Sequence, residues 1–351
     1  MISQERLRPY LLDNITDGVL VKRIKKIQEL YTVKRDDLKH IAWDEQDVSS
    51  YTAFYLATNY PKFSFLLDKL PDDFFDTKTP HDFIDFGTGP GTYLLSYLDR
   101  VGHESAHKLY AIDRNKMMLK QAEKLLVGLH PKAQDKLIFT ETMNDISGEH
   151  SRILLFGHSM NELQLSDFKK IIKTIRPTKI LFLEPGTPYV FEQMLQVREF
   201  LKTQNFDCLY PCLSIEKECP MVARKELGDW CHQVWRGNHE EKTERLTQLM
   251  KIDRRSMPLI AHAYAISSEP QIVFEQAQMV RYLKELKHAY VWQVCLFVEN
   301  ELELCEFEIP KKSMSKQELK EFKKIGVGER VDYTVIKKID SHKWRVSIVL
   351  K

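Results

Sequence analysis

The sequence predicts an α/β protein: a mostly parallel sheet, preceded by a helical region and joined by a cysteine-bearing element. Three observations carry this. Short apolar runs alternate with amphipathic stretches between residues 81 and 205. The first of these runs opens into a glycine-rich turn. Three cysteines then recur in a stretch too polar to form a core of its own.

The alternation is regular. DFIDF (82–86), KLYAID (108–113), KLIFTE (136–141), RILLFG (152–157) and KILFLE (179–184) are strand-length runs. Helix-like segments lie near 91–99, 115–127, 166–175 and 189–203. A β-α-β-α order of this kind needs crossovers that cover both faces of a parallel sheet. Ligands of such sheets bind beyond the carboxyl ends of the strands.

Residues 1–75 read as helical. Leu20, Ile24, Ile27 and Tyr31 recur at helical spacing; Val21 and Leu30 widen the stripe, and Lys22, Arg23, Lys25 and Lys26 lie around it. A second helical stretch, YTAFYLATNYPKFSFLLDKL, is interrupted by Pro61. After residue 205 the alternation stops. A charged, cysteine-bearing stretch leads into two apolar runs, LIAHAYAISS (259–268) and YVWQVCLFVE (290–299), expected to be the last strands of the same sheet. The cysteine stretch is then an insertion. The expected divisions are 1–75 helical, 76–205 Rossmann-like core, 206–258 insertion, and 259–351 last strands with a Lys-rich tail.

Composition excludes whole classes of protein. Hydrophobic residues are 43% and charged residues 29%, which rules out a disordered or collagen-like chain. With 351 residues, and domains usually of roughly 100–200, two or three structural units are expected. Lys+Arg is 52 against Asp+Glu 50, so net charge alone does not mark a nucleic-acid binder. No apolar run is long enough to span a bilayer, and the N-terminus resembles neither a signal nor a transit peptide. The expectation is a cytoplasmic protein, not associated with a membrane, whose cysteines are not structural disulfides.

The string DFIDFGTGPGTYLLSYL carries the strand-turn-helix signal for a nucleotide ligand. Gly87, Gly89 and Gly91 let the chain turn sharply and let a ligand approach the backbone, with Thr88 between them. Asp113 ends the next strand, where a carboxylate accepts hydrogen bonds from both ribose hydroxyls. A dinucleotide site competes with an S-adenosylmethionine site. Asp85 at the strand end suits the amino group of the second, and a dinucleotide fold usually begins with this unit rather than with helices. Asn144 and Asp145, after the third strand, are candidates for adenine contact. His158 and Asn161, in LLFGHSMNEL after the fourth, face the same crevice, as does Glu162. Methyl transfer is an in-line displacement in which positioning supplies much of the rate. No general base stands out, so no catalytic residue is assigned.

The cysteines are Cys208, Cys212, Cys219, Cys231, Cys295 and Cys305. Cys212, Cys219 and Cys231 give C-x6-C-x11-C within PCLSIEKECPMVARKELGDWCH. A short polar segment bearing several thiols is held folded by a metal more readily than by its own core. The spacing fits neither a standard zinc finger nor a ferredoxin run. A fourth ligand is open among Cys295, Cys305, Cys208 and, for zinc, His232.

These pieces together resemble the mitochondrial small-ribosomal-subunit methyltransferase-like family and its bacterial relatives. The ordered set is AFYLATNYPKFSFLLDKL, IDFGTGPGT, AIDRNKMM, HSMNEL, LEPGTP, PC…CP…WCH and QVCLFVE, over roughly residues 50–300. The resemblance implies a class I S-adenosylmethionine-dependent methyltransferase fold with an inserted Fe–S-binding element. It further implies a structural 4Fe–4S cluster on Cys212, Cys219, Cys231 and Cys295, and partners in the rRNA and proteins of the small ribosomal subunit. The first cysteine string departs from the family's Cys-Pro-His, reading Cys212-Leu213-Ser214.

RNA contact has local support in Arg224, Lys225, Arg236, Lys242, Arg245, Lys251, Arg254 and Arg255. Trp230, His232 and Trp235 are interleaved as stacking partners. A second cluster is Lys311, Lys312, Lys316, Lys320, Lys323 and Lys324, although acidic residues are mixed into the first. The expected function is an S-adenosylmethionine-binding protein of the small subunit, methylating its rRNA or assisting its assembly. The alternatives are a non-catalytic assembly factor and a small-molecule methyltransferase whose insertion is stabilised by zinc.

Overall fold

The computed structural model describes residues 1–13, 15–32, 43–75 and 79–349. Of the residues read above, the side chains of Tyr31 and Lys225 lie outside the described ones. The chain divides into two compact units. One comprises Met1–Glu162, Lys170–Leu183 and Trp235–Met257; the other comprises Leu163–Lys169, Glu184–Val234 and Pro258–Lys351.

The first unit holds a parallel sheet built from β1 (His81–Phe86), β2 (Ala106–Ile112), β3 (Leu137–Thr140), β4 (Ser151–Gly157) and β5 (Lys179–Pro185). The strand order is β3-β2-β1-β4-β5. Every registered pair in it is parallel, as the alternation predicts. The central strands are buried on both faces, which is why they read as continuous apolar runs. Helices Thr92–Arg100, Lys116–Leu129 and Leu165–Ile175 are the crossovers. This is the α/β arrangement of a class I methyltransferase core.

The N-terminal helix Asp17–Thr32 buries Leu20, Ile24 and Ile27, the stripe the sequence marks. Leu20 and Ile24 pack with Ala53, Phe54, Leu246 and Met250. The second helical stretch is interrupted earlier than Pro61 suggests. Thr52–Leu56 winds as a π-helix, a geometry frequent at functional sites, and Pro61 restarts the helix at its first position.

In the second unit, β6 (Phe206–Tyr210) pairs antiparallel with β8 (Ser256–Ile266); β7 (Gln233–Arg236) lies between them in sequence. The following strands depart from expectation. The run 290–299 does not belong to the parallel sheet. It is β10 (Ala289–Val298) of a closed barrel with β9 (Gln276–Glu285), β11 (Glu301–Pro310), β12 (Arg330–Lys338) and β13 (Lys343–Val349). The order around the barrel is β10-β11-β13-β12-β9. Only β11 and β13 run parallel. A helix, Lys316–Phe322, joins β11 to β12, opening on a Ser315–Glu318 capping box and sealing the barrel with Phe322. Five strands in this order, with the helix after the third, make an oligonucleotide/oligosaccharide-binding (OB) barrel.

The physical reason for the difference lies in β10. Tyr290, Trp292, Val294 and Leu296 face the barrel core, yet Val291, Gln293, Cys295 and Phe297 between them are buried too. Burial on both faces imitates a central parallel strand. Glu299 and Asn300, both at positive φ, make the tight turn into β11. Among the described residues, no helix is long and apolar enough to cross a membrane.

Phe307 is fully buried against Tyr333 and Trp344 at the barrel centre. We expect Phe307→Ala to cost about 3–5 kcal/mol, read as an earlier denaturation midpoint by near-UV circular dichroism.

Candidate nucleotide crevice and cysteine centre

β1 leaves the sheet through Asp85 and enters Gly87-Thr88-Gly89-Pro90-Gly91. The three glycines have φ of +74°, +54° and +84°, conformations that an L side chain resists. Gly87 and Thr88 donate backbone hydrogen bonds to Ile112 O at 2.8 and 3.0 Å. A Cβ on Gly87 would meet Ser159 Cβ at 2.5 Å, and one on Gly91 would meet Leu126 Cδ1 at 3.0 Å. Around Gly89 nothing lies within 4 Å. The outer glycines are therefore packed, and the middle one presents bare backbone to an approaching ligand.

Two carboxylates flank this turn. Asp113, just past β2, accepts from Gly89 N and from Asn115 N, each at 2.8 Å. It holds the turn while each oxygen keeps a further lone pair for a ribose hydroxyl. Burial pushes its pKa up. Asp85 is fully buried. Its Oδ2 accepts from Thr88 Oγ1 at 2.8 Å, but its Oδ1 has no hydrogen-bond partner among the described residues. Burial, opposed by the Thr88 bond and assisted by Asp113, pushes its pKa up to about 7. A buried carboxylate with one orphaned oxygen suits a cationic amino group.

The remaining predicted residues sort differently. Asn144 and Asp145 lie in the exposed Met143–Asp145 turn after β3; Asp145 takes a hydrogen bond from its neighbour Thr140. Asn161 carries a buried, unpartnered Oδ1 in the Met160–Glu162 turn. His158, directly after β4, sits in the left-handed region at φ +59°. Its Nε2 lies 2.9 Å from Lys62 Nζ, so the imidazole accepts there and carries its proton on Nδ1. Burial, then Lys62 and Arg254, push its pKa well below the usual histidine value. Sequence reasoning missed Lys62. The signal was there: a single lysine inside the apolar string NYPKFSF, now 2% exposed.

In the second unit, Cys212, Cys219 and Cys231 lie on the loop between β6 and β7, and Cys295 on β10. Cys208 lies in β6 and donates to Tyr210 O at 3.3 Å. Burial and then the Cys219, Cys212 and Cys231 thiols push Cys295 up. Burial and then Cys219 and Cys212 do the same to Cys231, and burial and Cys212 to Cys219. Each of the four thus feels the charge of the others. Cys212 alone is drawn down, by the Cys208 hydrogen bond and then by Arg198 and Arg330 against burial. Arg330 donates to Pro211 O at 3.2 Å and Cys212 O at 2.6 Å; Arg198 donates to Ser214 O at 2.9 Å.

The rival fourth ligands separate by position. Cys305 faces the barrel interior among Phe307 and Val294. His232 stacks on Trp230 with ring centroids 5.3 Å apart. Among the described residues, no three His, Cys, Asp or Glu side chains converge as ligands of a single ion.

The basic residues are partly spent. Arg224 pairs with Asp229, Arg245 with Asp17, Arg255 with Asp253, Lys311 with Glu285 and Lys324 with Glu321. Trp230 donates to Gly186 O at 3.1 Å, and Trp235 is buried against His239. Arg236, Lys242, Lys251, Lys316 and Lys320 remain exposed.

Residues 45–280 match the family described as mitochondrial small ribosomal subunit Rsm22. The matched span includes the glycine turn, Cys212, Cys219 and Cys231, and stops short of Cys295. The structure is similar to a SAM-dependent methyltransferase from Aquifex aeolicus (17% identity, 48% of this chain and 90% of that one, TM-score 0.35). It is also similar to TrmK of M. capricolum in complex with S-adenosylhomocysteine (9% identity, 60% and 70%, TM-score 0.35). A third likeness is magnesium protoporphyrin IX methyltransferase from Synechocystis with bound SAM (8% identity, 73% and 100%, TM-score 0.36). No curated protein matches.

Two outcomes are expected of this site. Gly87→Ala costs about 1–2 kcal/mol from backbone strain alone, plus the clash with Ser159, so urea denaturation shows a clear loss. Gly89→Ala, with open space around it, bears only the strain. The second outcome concerns pH. Asp85 titrates at about 7 when folded and near an ordinary carboxylate value when unfolded. Between those values the folded chain binds the extra proton, so stability falls as pH rises from about 4 to about 7. Asp85→Asn removes that part of the slope in ligand-free protein; an unchanged slope would show that Asp85 does not titrate there.

Proposed function

Because the chain belongs to the Rsm22 family of the mitochondrial small ribosomal subunit, we propose that it binds S-adenosylmethionine in the glycine-turn crevice and acts on small-subunit rRNA, as a methyltransferase and in subunit assembly. The observation that carries this reading is that one family match spans both the glycine turn and the first three clustered cysteines. In this reading Gly89 admits the cofactor, Asp85 receives its amino group, and Asp113 receives the ribose. Asn144 and Asp145 lie where adenine would approach, and Asn161 and His158 border the methionyl end. S-adenosylmethionine supplies an electrophilic methyl group when bound. The protein's part is to align acceptor and sulfonium and to exclude water.

The second element of the proposal is a 4Fe–4S cluster held by Cys212, Cys219, Cys231 and Cys295. The donor set fits. Four thiols share one electrostatic neighbourhood, and Arg198 and Arg330 offset the anionic charge that thiolates bring to it. Thiolates surrounding a cluster stand further apart than the ligands of one tetrahedral ion, which favours the cluster over zinc. Its role is structural: it ties the β6–β7 loop to the outer side of β10.

A non-catalytic assembly factor is the second reading. It is favoured by His158, whose Nε2 is already taken by Lys62 and is not free to accept a proton from an acceptor.

Anaerobic purification tests the cluster. We expect about four irons and four sulfides per chain, lost together with visible absorbance in Cys219→Ser; stoichiometric zinc without iron would overturn it. Crosslinking in cells followed by RNA sequencing tests the partner: small-subunit rRNA is expected, and enrichment elsewhere rejects the assignment. Asp85→Asn separates the two readings. If rRNA methylation falls while subunit assembly persists, the chain is an enzyme as well as a factor; if no methyl mark depends on Asp85, the non-catalytic reading stands.

A further inference from the structure

Arg254 is misplaced for a surface cation. Its guanidinium lies 5.7 Å from the Phe54 ring centroid and 5.9 Å from that of Tyr55, on the π-helical turn Thr52–Leu56. Its Nε is buried with no hydrogen-bond partner, and among the described residues no carboxylate pairs with it. Burial lowers its pKa, opposed only by Tyr55. An enclosed arginine without an anion is costly, because desolvation of the charge is not offset.

A second buried cation shares this space. Lys62, itself buried, meets His158, and both Lys62 and Arg254 act on His158 and on His239. The histidine between them is neutral, so nothing there balances the two charges. His158 precedes Ser159, whose side chain packs against Gly87 and donates to Phe86 O at 2.7 Å. The cationic pocket therefore adjoins the glycine turn, on the β4 side of the crevice.

We propose that Arg254 and Lys62, with His158 positioned between them, form a carboxylate-binding subsite that takes the carboxylate of the methionyl end of S-adenosylmethionine. This rests on the cofactor reading given above. The depth of Lys62 favours a small carboxylate over a backbone phosphate of RNA, which arrives on a bulky polymer. The amino group then meets Asp85 and the carboxylate meets the cations, so the two ends of the amino acid are read by opposite charges.

The test is calorimetric binding of S-adenosylmethionine and of its decarboxylated analogue, which keeps the adenosyl, sulfonium and amino groups. The wild type is expected to prefer the carboxylate-bearing ligand by about tenfold or more, the scale of one charged hydrogen bond. Arg254→Met should remove most of that preference while leaving affinity for the decarboxylated analogue unchanged; Arg254→Lys should restore part of it. Equal wild-type affinity for both ligands overturns the subsite and leaves the cofactor reading intact. No wild-type binding of either overturns both. Equal loss of both ligands in Arg254→Met and Arg254→Lys assigns Arg254 a structural role and overturns the proposal. Retained preference with lost affinity for a short oligoribonucleotide places a phosphate there instead and overturns it too.

Discussion

The crevice depends on a clasp between two strand ends. Asp113, leaving β2, binds the backbone of Gly89, in the turn leaving β1, and caps the start of its own crossover helix with its other oxygen. One carboxylate thus fixes the turn, the neighbouring strand end and the helix entry. The rest follows from how tightly that turn is held. Gly87 is pressed under Ser159 and Gly91 under Leu126, so only Gly89 remains open. The same arrangement leaves Asp85 below the turn in a space without water or partner for its second oxygen.

Charge is distributed around the crevice with a clear division. The buried carboxylates Asp85 and Asp113 lie on the β1–β2 side, and the buried cations Lys62 and Arg254 lie with His158 at β4. Each group is expensive to bury alone. Such costs are tolerated where a ligand completes the pairing, and they concentrate at functional sites. The thiol centre in the other unit follows the same logic with the signs exchanged: cations Arg198 and Arg330 surround groups that become anionic when they bind a metal.

The sequence made the parallel sheet legible because its strands are short, doubly buried and separated by crossovers of ordinary length. The five strands and the intervening helices fall where the alternation puts them. The glycine turn was equally plain, since only a position needing positive φ or close approach explains three glycines so spaced. The barrel was not legible, for two reasons. β10 is buried on both sides, so it carries no alternation to mark it as a barrel strand. β12 and β13 expose lysines and polar residues outward and read as a solvated tail, although Val331, Trp344, Val346 and Ile348 fill the core between them. Arg254 was legible only as a cation near others. Its burial depends on Phe54 and Tyr55, some two hundred residues earlier in the chain, and no local pattern reports that.

β10 carries two kinds of information in one strand. Its even-numbered side chains close the barrel, while Cys295 leaves by the opposite side; Cys305 on β11, paired through Val294, points inward. Because a strand alternates strictly, a single inserted or deleted residue upstream of Cys295 would exchange the two sets, presenting a valine to the thiol centre and a sulfur to the barrel. Length variation in this hairpin is therefore confined to the Glu299–Asn300 corner or to steps of two. The barrel's frame and the fourth sulfur are inherited together, and neither can drift without the other.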